Sequence, residues 1–415
     1  MITDTAPGPA RGRLARFARL ARPAGPLAAA AAGRLRGGDL GALPVVAALA
    51  VIAAVFGTLN GRFLSAENLT NLALQMAATG TIALGVVIVL LLGEIDLSVG
   101  SVSGLCAVVM TVLNVRHGVP AGLAVLLALG AAVLVGLLHG LMFTMLAMPS
   151  FVVTLSGLIG WQGLLLYLLG HEGTVNLPFD GPIARLSDTW LPAWLSWLAV
   201  AALAAAALAA ALVTRRLRAR ADLPVPPLGW ALARAGALAA VLAAVVAVLN
   251  GDRGVPLTLV IFGSLVVLLD LALRGTAAGR WIYAVGGSAE AARRAGISVT
   301  RIRILGFAAA SLLAGAGGIL AASRLAAVNQ SSGGSDILLM AIAAAVIGGT
   351  SLFGGRGRTY AALLGILVIQ SVTNGMLLLN VNSSVRFMVT AGVLALAVAI
   401  DSAARRGRSG AAGAR

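Results

Sequence analysis

The sequence predicts an all-α polytopic integral membrane protein with about twelve transmembrane helices and both termini cytoplasmic. Three observations predict it. First, 60% of the 415 residues are hydrophobic and 11% charged, with a mean hydropathy of +0.99, which no soluble core needs. Second, predominantly apolar runs of about 20 residues recur down the chain, which excludes a lone anchor or a simple signal peptide. The ten-residue alternation of a membrane β-barrel is not visible. Third, all 30 basic residues are arginine, and they cluster between the apolar runs, a pattern of orientation in a bilayer and not of a nucleic-acid face.

Residues 1–42 form a basic N-terminal segment, with Arg11, Arg13, Arg16, Arg19 and Arg22 spaced along it. It reads as a disordered cytoplasmic tail or as an amphipathic helix on anionic lipid. The spans follow at 43–60, 68–92, 97–115, 119–147, 150–170, 189–213, 228–249, 256–273, 304–322, 336–353, 359–379 and 385–401. With the first tail inside, 23 arginines fall in inner segments and six in outer loops, obeying the positive-inside rule. Shifting the parity by one would invert that bias. The chain therefore divides into a cytoplasmic tail 1–42, a transmembrane domain 43–401 and a basic cytoplasmic tail 402–415.

Within the domain, 189–255 looks like an added pair of Ala/Leu/Val-rich spans split by Arg215, Arg216, Arg218 and Arg220, and is read as peripheral packing. The outer connection 171–188 leads into Trp190, Trp194 and Trp197, anchors for the headgroup layer. With the polar loop 323–335, it forms either a docking face for a soluble partner or plain solvated turns.

Polar residues inside apolar sequence carry the functional expectations. Gly93-Glu-Ile-Asp-Leu-Ser-Val-Gly100 joins two spans with two carboxylates. At membrane depth such groups are costly unless paired, hydrated or in a cavity. Glu94 and Asp96 are expected on different sides of a helix, hence not a paired acid/base couple. The alternative is a tight interfacial turn in which Asp96 and Ser98 cap a helix. In Pro149-Ser-Phe-Val-Val-Thr-Leu155, the proline starts a helix, and Ser150, Phe151 and Thr154 set hydroxyls beside an aromatic, for a sugar or for helix packing. Ala345 to Gly355 reads as a broken helix, and Asn374 is the leading polar candidate in the span after it. Glu94, Asp96, Ser98, Phe151, Thr154 and Asn374 are thus the candidate pathway residues.

The longest charged interruption, 274–303, centres on a short helix. Ser288 is its cap, Glu290 suits its positive end, and Arg293 and Arg294 suit its negative end. Gly296 supplies the left-handed stop. So short a helix is marginal alone, so it is expected either to dock on something or to be a surface turn.

The stretch Gly279 to Ile297 closely resembles the cytoplasmic coupling loop of bacterial sugar ABC-importer permeases, the ribose/xylose group of the branched-chain amino acid/monosaccharide permease family. The Gly93–Gly100 octad resembles that family's signature segment, and Pro149–Leu155 is a third match in order. The added pair and Asn250–Pro256 look like xylose-type permeases. The resemblance implies a homodimeric permease subunit in a bacterial plasma (inner) membrane. It implies an ATP-binding subunit gripping Ser288, Glu290, Ala291, Ala292, Arg293, Arg294 and Gly296, and an extracellular or periplasmic sugar-binding protein. ATP and magnesium would sit on the partner, none on this chain. The competing class is a proton-coupled secondary transporter using Glu94 and Asp96.

Catalytic chemistry is not legible. Without lysine there is no P-loop. His117, His139 and His171 are scattered without a metal-binding pattern, and His139 reads as a helix-packing donor. One cysteine, Cys106, excludes disulfides within the chain and cysteine-based zinc sites. The protein is therefore expected to have no catalytic residues and no metal site, and no nucleic-acid partner.

Overall fold

The computed structural model describes residues 43–412; the expected tail 1–42 and residues 413–415 lie outside the described residues. In chain order the helices are α1 (Leu43–Leu59), α2 (Ala66–Leu91), α3 (Val99–Val115), α4 (Ala121–Met145), α5 (Ser150–Leu169), the short α6 (Pro182–Asp188), α7 (Ala193–Arg220) and α8 (Leu228–Asn250). Then come α9 (Leu257–Gly275), α10 (Ala277–Gly287), α11 (Ala289–Arg294), α12 (Val299–Leu325), α13 (Ser335–Ile347), α14 (Thr359–Leu378) and α15 (Ser383–Ala412). Every expected span coincides with a helix. Among the described residues, eight are long and apolar enough to cross a membrane, and the apolar parts of α1, α3, α13 and α15 are shorter.

Several boundaries differ from expectation for local reasons. The span expected at 336–353 stops at Ile347, because glycines 348 and 349 break it and Gly349 takes φ +96°. The span expected at 304–322 begins earlier, at Val299. The intervening segment contains a second helix, α10, whose first turn is capped by Thr276 Oγ1 accepting from Gly279 N at 3.2 Å. The last helix continues beyond 401 to Ala412.

Small residues let the central helices meet backbone to backbone. Around α12, a Cβ on Gly85 of α2 would lie 2.6 Å from the Ala310 carbonyl oxygen. One on Gly318 would lie 1.9 Å from the Ser103 oxygen of α3, and one on Gly136 of α4 would lie 2.5 Å from the Phe307 oxygen. Such approach is how helices associate where lipid offers no hydrophobic drive. By contrast, α7 and α8 pack mainly on each other and leave most side chains exposed.

Two antiparallel pairings tie loops together at one end. Strand β1 (Thr174–Asn176) pairs with β4 (Ala327–Asn329), and β2 (Trp190–Leu191) with β3 (Val255–Pro256). The polar loops expected outside therefore share one end of the bundle, and α10 and α11 lie at the other.

At the first end, α2 and α14 are clamped by amides. Asn68 Nδ2 donates to Asn374 Oδ1 at 2.8 Å and Asn374 Nδ2 donates to Asn68 Oδ1 at 3.0 Å, while Gln370 Nε2 donates to Gln75 Oε1 at 2.7 Å. Both asparagines are buried. Asn374→Ala leaves the buried Asn68 Oδ1 without a donor, while Asn68 Nδ2 keeps its 2.8 Å bond to the Phe63 carbonyl, and should cost about 1–3 kcal/mol. A lowered midpoint of thermal inactivation in detergent, partly restored by adding Asn68→Leu, checks it.

Candidate functional site

Between α2 and α3 the chain is not helical, which corrects the expectation that Glu94 and Asp96 sit on different sides of a helix. Gly93, at φ +78°, reverses the chain after α2, a backbone state glycine adopts without steric cost. Residues 94–98 then run as an irregular strip with a bend at Leu97, and α3 starts inside the bundle. At 17 residues, α3 is about 26 Å long, and α13, at 13, is about 20 Å. Both fall short of a hydrocarbon layer about 30 Å thick. Their N-terminal turns meet: a Cβ on Gly100 would lie 2.9 Å from the Gly333 oxygen. Interrupted helices meeting inside a bundle are a feature of transport sites, because free backbone groups are tolerated there only when buried in protein or lining a cavity.

The two carboxylates of the strip have different surroundings. Glu94 is neutralised. Its Oε1 lies 2.9 Å from Arg303 Nη2 of α12, and its Oε2 accepts from Ser150 Oγ at 2.6 Å. The Arg303 guanidinium also stacks over Phe143, 4.6 Å from the ring centroid. Thr154 is fully buried and donates to the carbonyls of Ser150 at 3.0 Å and Ile95 at 3.3 Å, fastening the strip to α5.

Asp96 is buried without a cation. Its Oδ1 accepts from Ser98 N at 2.8 Å and Ser98 Oγ at 2.6 Å. The Ser98 hydroxyl lies 3.4 Å from His139 Nδ1, and Trp161 Nε1 donates to His139 Nε2 at 2.9 Å. An indole N–H only donates, so His139 Nε2 must be the acceptor and Nδ1 must carry the proton. Each hydrogen bond then points toward Asp96: indole to imidazole, imidazole to hydroxyl, hydroxyl to carboxylate. Asp96 Oδ2 has no partner, and the residue lines a cavity of ≈ 200 Å³ with Val86, Val89, Leu90, Ile95, Ile342 and Leu352.

The structure thus gathers Glu94, Asp96, Ser98 and Thr154 around one strip. Phe151 instead faces outward, half exposed, and Asn374 spends its amide on Asn68. Sequence reasoning missed Arg303, Trp161 and the role of His139. Gly157 was a signal for the last two, since a Cβ there would lie 2.5 Å from His139 Nε2.

At the same end of the bundle lies the charged segment. Ser288 Oγ accepts from Ala291 N at 3.2 Å, and Gly296 ends the turn at φ +81°. Ala292 is buried in a small apolar cluster with Val285, Val299, Ile302 and Leu92, which sits just before the strip. Ala291, Glu290, Arg293 and Arg294 remain exposed, with Glu290 within 3.3 Å of Arg293 and 3.1 Å of Arg294. Exposed pairs of this kind contribute little to stability.

Gly286, closing α10, is wedged between Leu91 and the loop after α13: a Cβ on it would lie 1.7 Å from the Leu91 oxygen and 2.8 Å from Gly355 N. Gly355 N donates to that same Leu91 oxygen at 2.9 Å. Tyr283 Oη donates to the Gly357 carbonyl at 3.0 Å, and burial pushes its phenol above the ordinary range, so it stays the donor. Segment α10–α11, the 93–98 strip and the 348–357 loop thus share one backbone junction.

Among the described residues, no cluster of three or more His, Cys, Asp or Glu side chains could hold a metal ion.

Residues 68–398 match the family described as branched-chain amino acid transport system / permease component. The chain is 36% identical over 368 residues to the xylose transport system permease protein XylH of Escherichia coli (strain K12), covering 87% of this chain and 91% of that protein. It is 32% identical over 374 residues to XylH of Haemophilus influenzae, covering 90% and 99%. To the ribose import permease protein RbsC of Escherichia coli (strain K12) it is 30% identical over 357 residues, covering 86% and 92%. No solved structure is significantly similar to it. The likeness read from the three motifs and the match along the whole bundle agree: the chain belongs to the branched-chain amino acid transport system / permease component family.

Proposed function

We propose that this chain is the membrane-spanning subunit of an ATP-driven monosaccharide importer, for xylose or a related pentose. The observation that carries the coupling part is the placement of α11. Its inner face is pinned by Ala292, its outer face presents Glu290, Arg293 and Arg294, and its base joins the segment bearing Glu94 and Asp96. A helix so short and so exposed is suited to being gripped from outside. A separate ATP-binding subunit carrying ATP and magnesium would hold Ser288–Gly296. Its closure would shift the equilibrium between inward-open and outward-open states. Arginine placement supports the remaining topology, twelve spans with both termini cytoplasmic, and the motif resemblance supports a homodimer in the bacterial inner membrane served by a sugar-binding protein outside.

The proton-coupled alternative draws no support from Glu94, whose charge is matched by Arg303. ATP depletion and uncouplers separate the two classes: uptake that survives ATP depletion but dies with an uncoupler would overturn the importer reading. Glu290→Lys reverses the charge on the exposed face and leaves Ala292 in place. It should lower sugar uptake and transport-stimulated ATP hydrolysis at least five-fold with normal membrane insertion. Unchanged uptake would remove α11 from the coupling path.

A further inference from the structure

The α7–α8 hairpin is fastened to the bundle at one end only. The buried residues of α7 are Ser196 and Val200, in its first turns, and from Ala201 to Arg220 no side chain of it is buried. In α8 only Ala235 is buried before Val246. Val200, Val246 and Leu249 form one apolar cluster with Ala73 of α2 and Val255, beside the β2–β3 pairing. The other half of the hairpin runs to the end of the bundle that carries α10 and α11, and there its charge is of one sign. Between Ala193 and Asn250, Arg215, Arg216, Arg218, Arg220 and Arg234 stand against a single acid, Asp222. Among the described residues no ion pair reaches any of the five.

At 28 residues α7 is about 42 Å long, against a hydrocarbon layer about 30 Å thick. Arg215 lies about 33 Å along it, which puts the arginine run at the headgroup layer. Trp230, in the first turn of α8 and 41% exposed, is an anchor for the same layer. Between the two helices runs a groove of ≈ 310 Å³, lined by Ala204, Ala205 and Leu208 of α7 and Leu232, Gly236 and Ala239 of α8. Ala205, Leu232 and Gly236 are exposed, so the groove is open to its surroundings. Arg215 and Arg216 follow Ala204 and Ala205 by about three turns and so lie on the same face of α7.

An apolar groove open to the bilayer and ending at unpaired guanidinium groups matches a molecule with an acyl chain and an anionic head. Guanidinium pairs with phosphate in bidentate geometry, and arginines beside a membrane span attract anionic headgroups. A zwitterionic head would bring its own cation to the same arginines. A second copy of this chain, related by a two-fold axis along the membrane normal, would bring the same five arginines to the same level, like charge against like. We propose that the α7–α8 groove holds an acyl chain of an anionic phospholipid whose phosphate is bound by Arg215 and Arg216. The lipid then fastens the half of the hairpin that protein contacts leave unheld. The site is independent of the solute transported.

The test is native mass spectrometry of the full chain, with dioleoylphosphatidylglycerol and dioleoylphosphatidylcholine as probes. Wild type should retain phosphatidylglycerol at least ten-fold more strongly than phosphatidylcholine, and inorganic phosphate should not displace it. Arg215→Gln with Arg216→Gln should weaken retention at least ten-fold, since each arginine at such a surface contributes a factor of about five. Arg215→Lys with Arg216→Lys should keep most of it. Arg293→Gln with Arg294→Gln removes the same charge at the same end of the bundle and should leave retention unchanged. Gly236→Leu fills the groove and keeps every charge. A Cβ on Gly236 meets nothing within 4 Å, so α8 accommodates the change, and retention should fall at least five-fold. Equal loss in the two arginine-to-glutamine pairs would reduce the effect to general surface charge and overturn the site. Full retention by Gly236→Leu, equal retention of the two lipids, or displacement by inorganic phosphate would overturn it as well. A wild-type dimer without lipid that Gly236→Leu splits into monomers would assign the groove to a second copy instead.

Discussion

Gly286→Ala should reduce sugar uptake to below a tenth of wild type, while the adjacent Gly287→Ala leaves it unchanged. The two glycines are neighbours with the same side chain, and only their surroundings differ. A Cβ on Gly286 would sit 1.7 Å from the Leu91 oxygen, whereas one on Gly287 meets nothing within 4 Å. A carbon and an oxygen need more than 3 Å, so α10 or the end of α2 must retreat by over an ångström. Neither is free to do so cheaply. The Leu91 carbonyl already accepts from Gly355 N, and Tyr283 of α10 is tied to the Gly357 carbonyl. Packed interiors pass such displacements on instead of absorbing them. The retreat would separate α10–α11 from the 93–98 strip, so ATP hydrolysis should persist while sugar movement falls. Uptake and ATPase activity of both variants, reconstituted with their partner proteins, decide this. Equal activity would show that the junction transmits nothing.

How much of this was legible in the sequence depends on the range of the interaction concerned. The helices were readable because apolar runs are local, and the α11 cap was readable because Ser288, Glu290, Arg293 and Gly296 all lie within one turn or two of each other. The exact boundaries of α12 and α13 were not, since α12 begins at Val299, before its apolar run, and the break read in Ala345 to Gly355 falls at its near end, where Gly349 takes φ +96°. The strip 93–98 was singled out for its carboxylates but given the wrong geometry: Gly93 reverses the chain, so helical spacing does not apply to Glu94 and Asp96. The least legible were partners far apart in the chain. Nothing near residue 94 announces Arg303, and nothing near Asn374 announces Asn68. His139 looked like a packing residue because Trp161 comes from another helix and Ser98 from the strip before α3.

Removing either member of the Glu94–Arg303 pair should destabilise the protein more than removing both. The side chains are 13% and 25% exposed, so little water is available to solvate a survivor. Losing one partner of a fully buried pair costs about 3–5 kcal/mol, mostly as the penalty of the charge left behind, and this partly buried pair should show a smaller cost of the same sign. Arg303→Met leaves Glu94 with only the Ser150 hydroxyl, and Glu94→Gln leaves Arg303 with the face of Phe143. The double variant strands no charge and should recover much of the loss. A double-mutant cycle on thermal inactivation in detergent reads that interaction directly, and additive single effects would refute it. Function should respond differently from stability. Arg303 lies in the first turns of α12, close after α11, and Glu94 two residues before Asp96, so the pair links the exposed helix to the cavity through side chains as the Gly286 junction does through backbone. The double variant, though stable, should therefore transport sugar at no more than about a third of the wild-type rate. Full transport would make the pair a fastening of the fold and leave the glycine junction as the sole link.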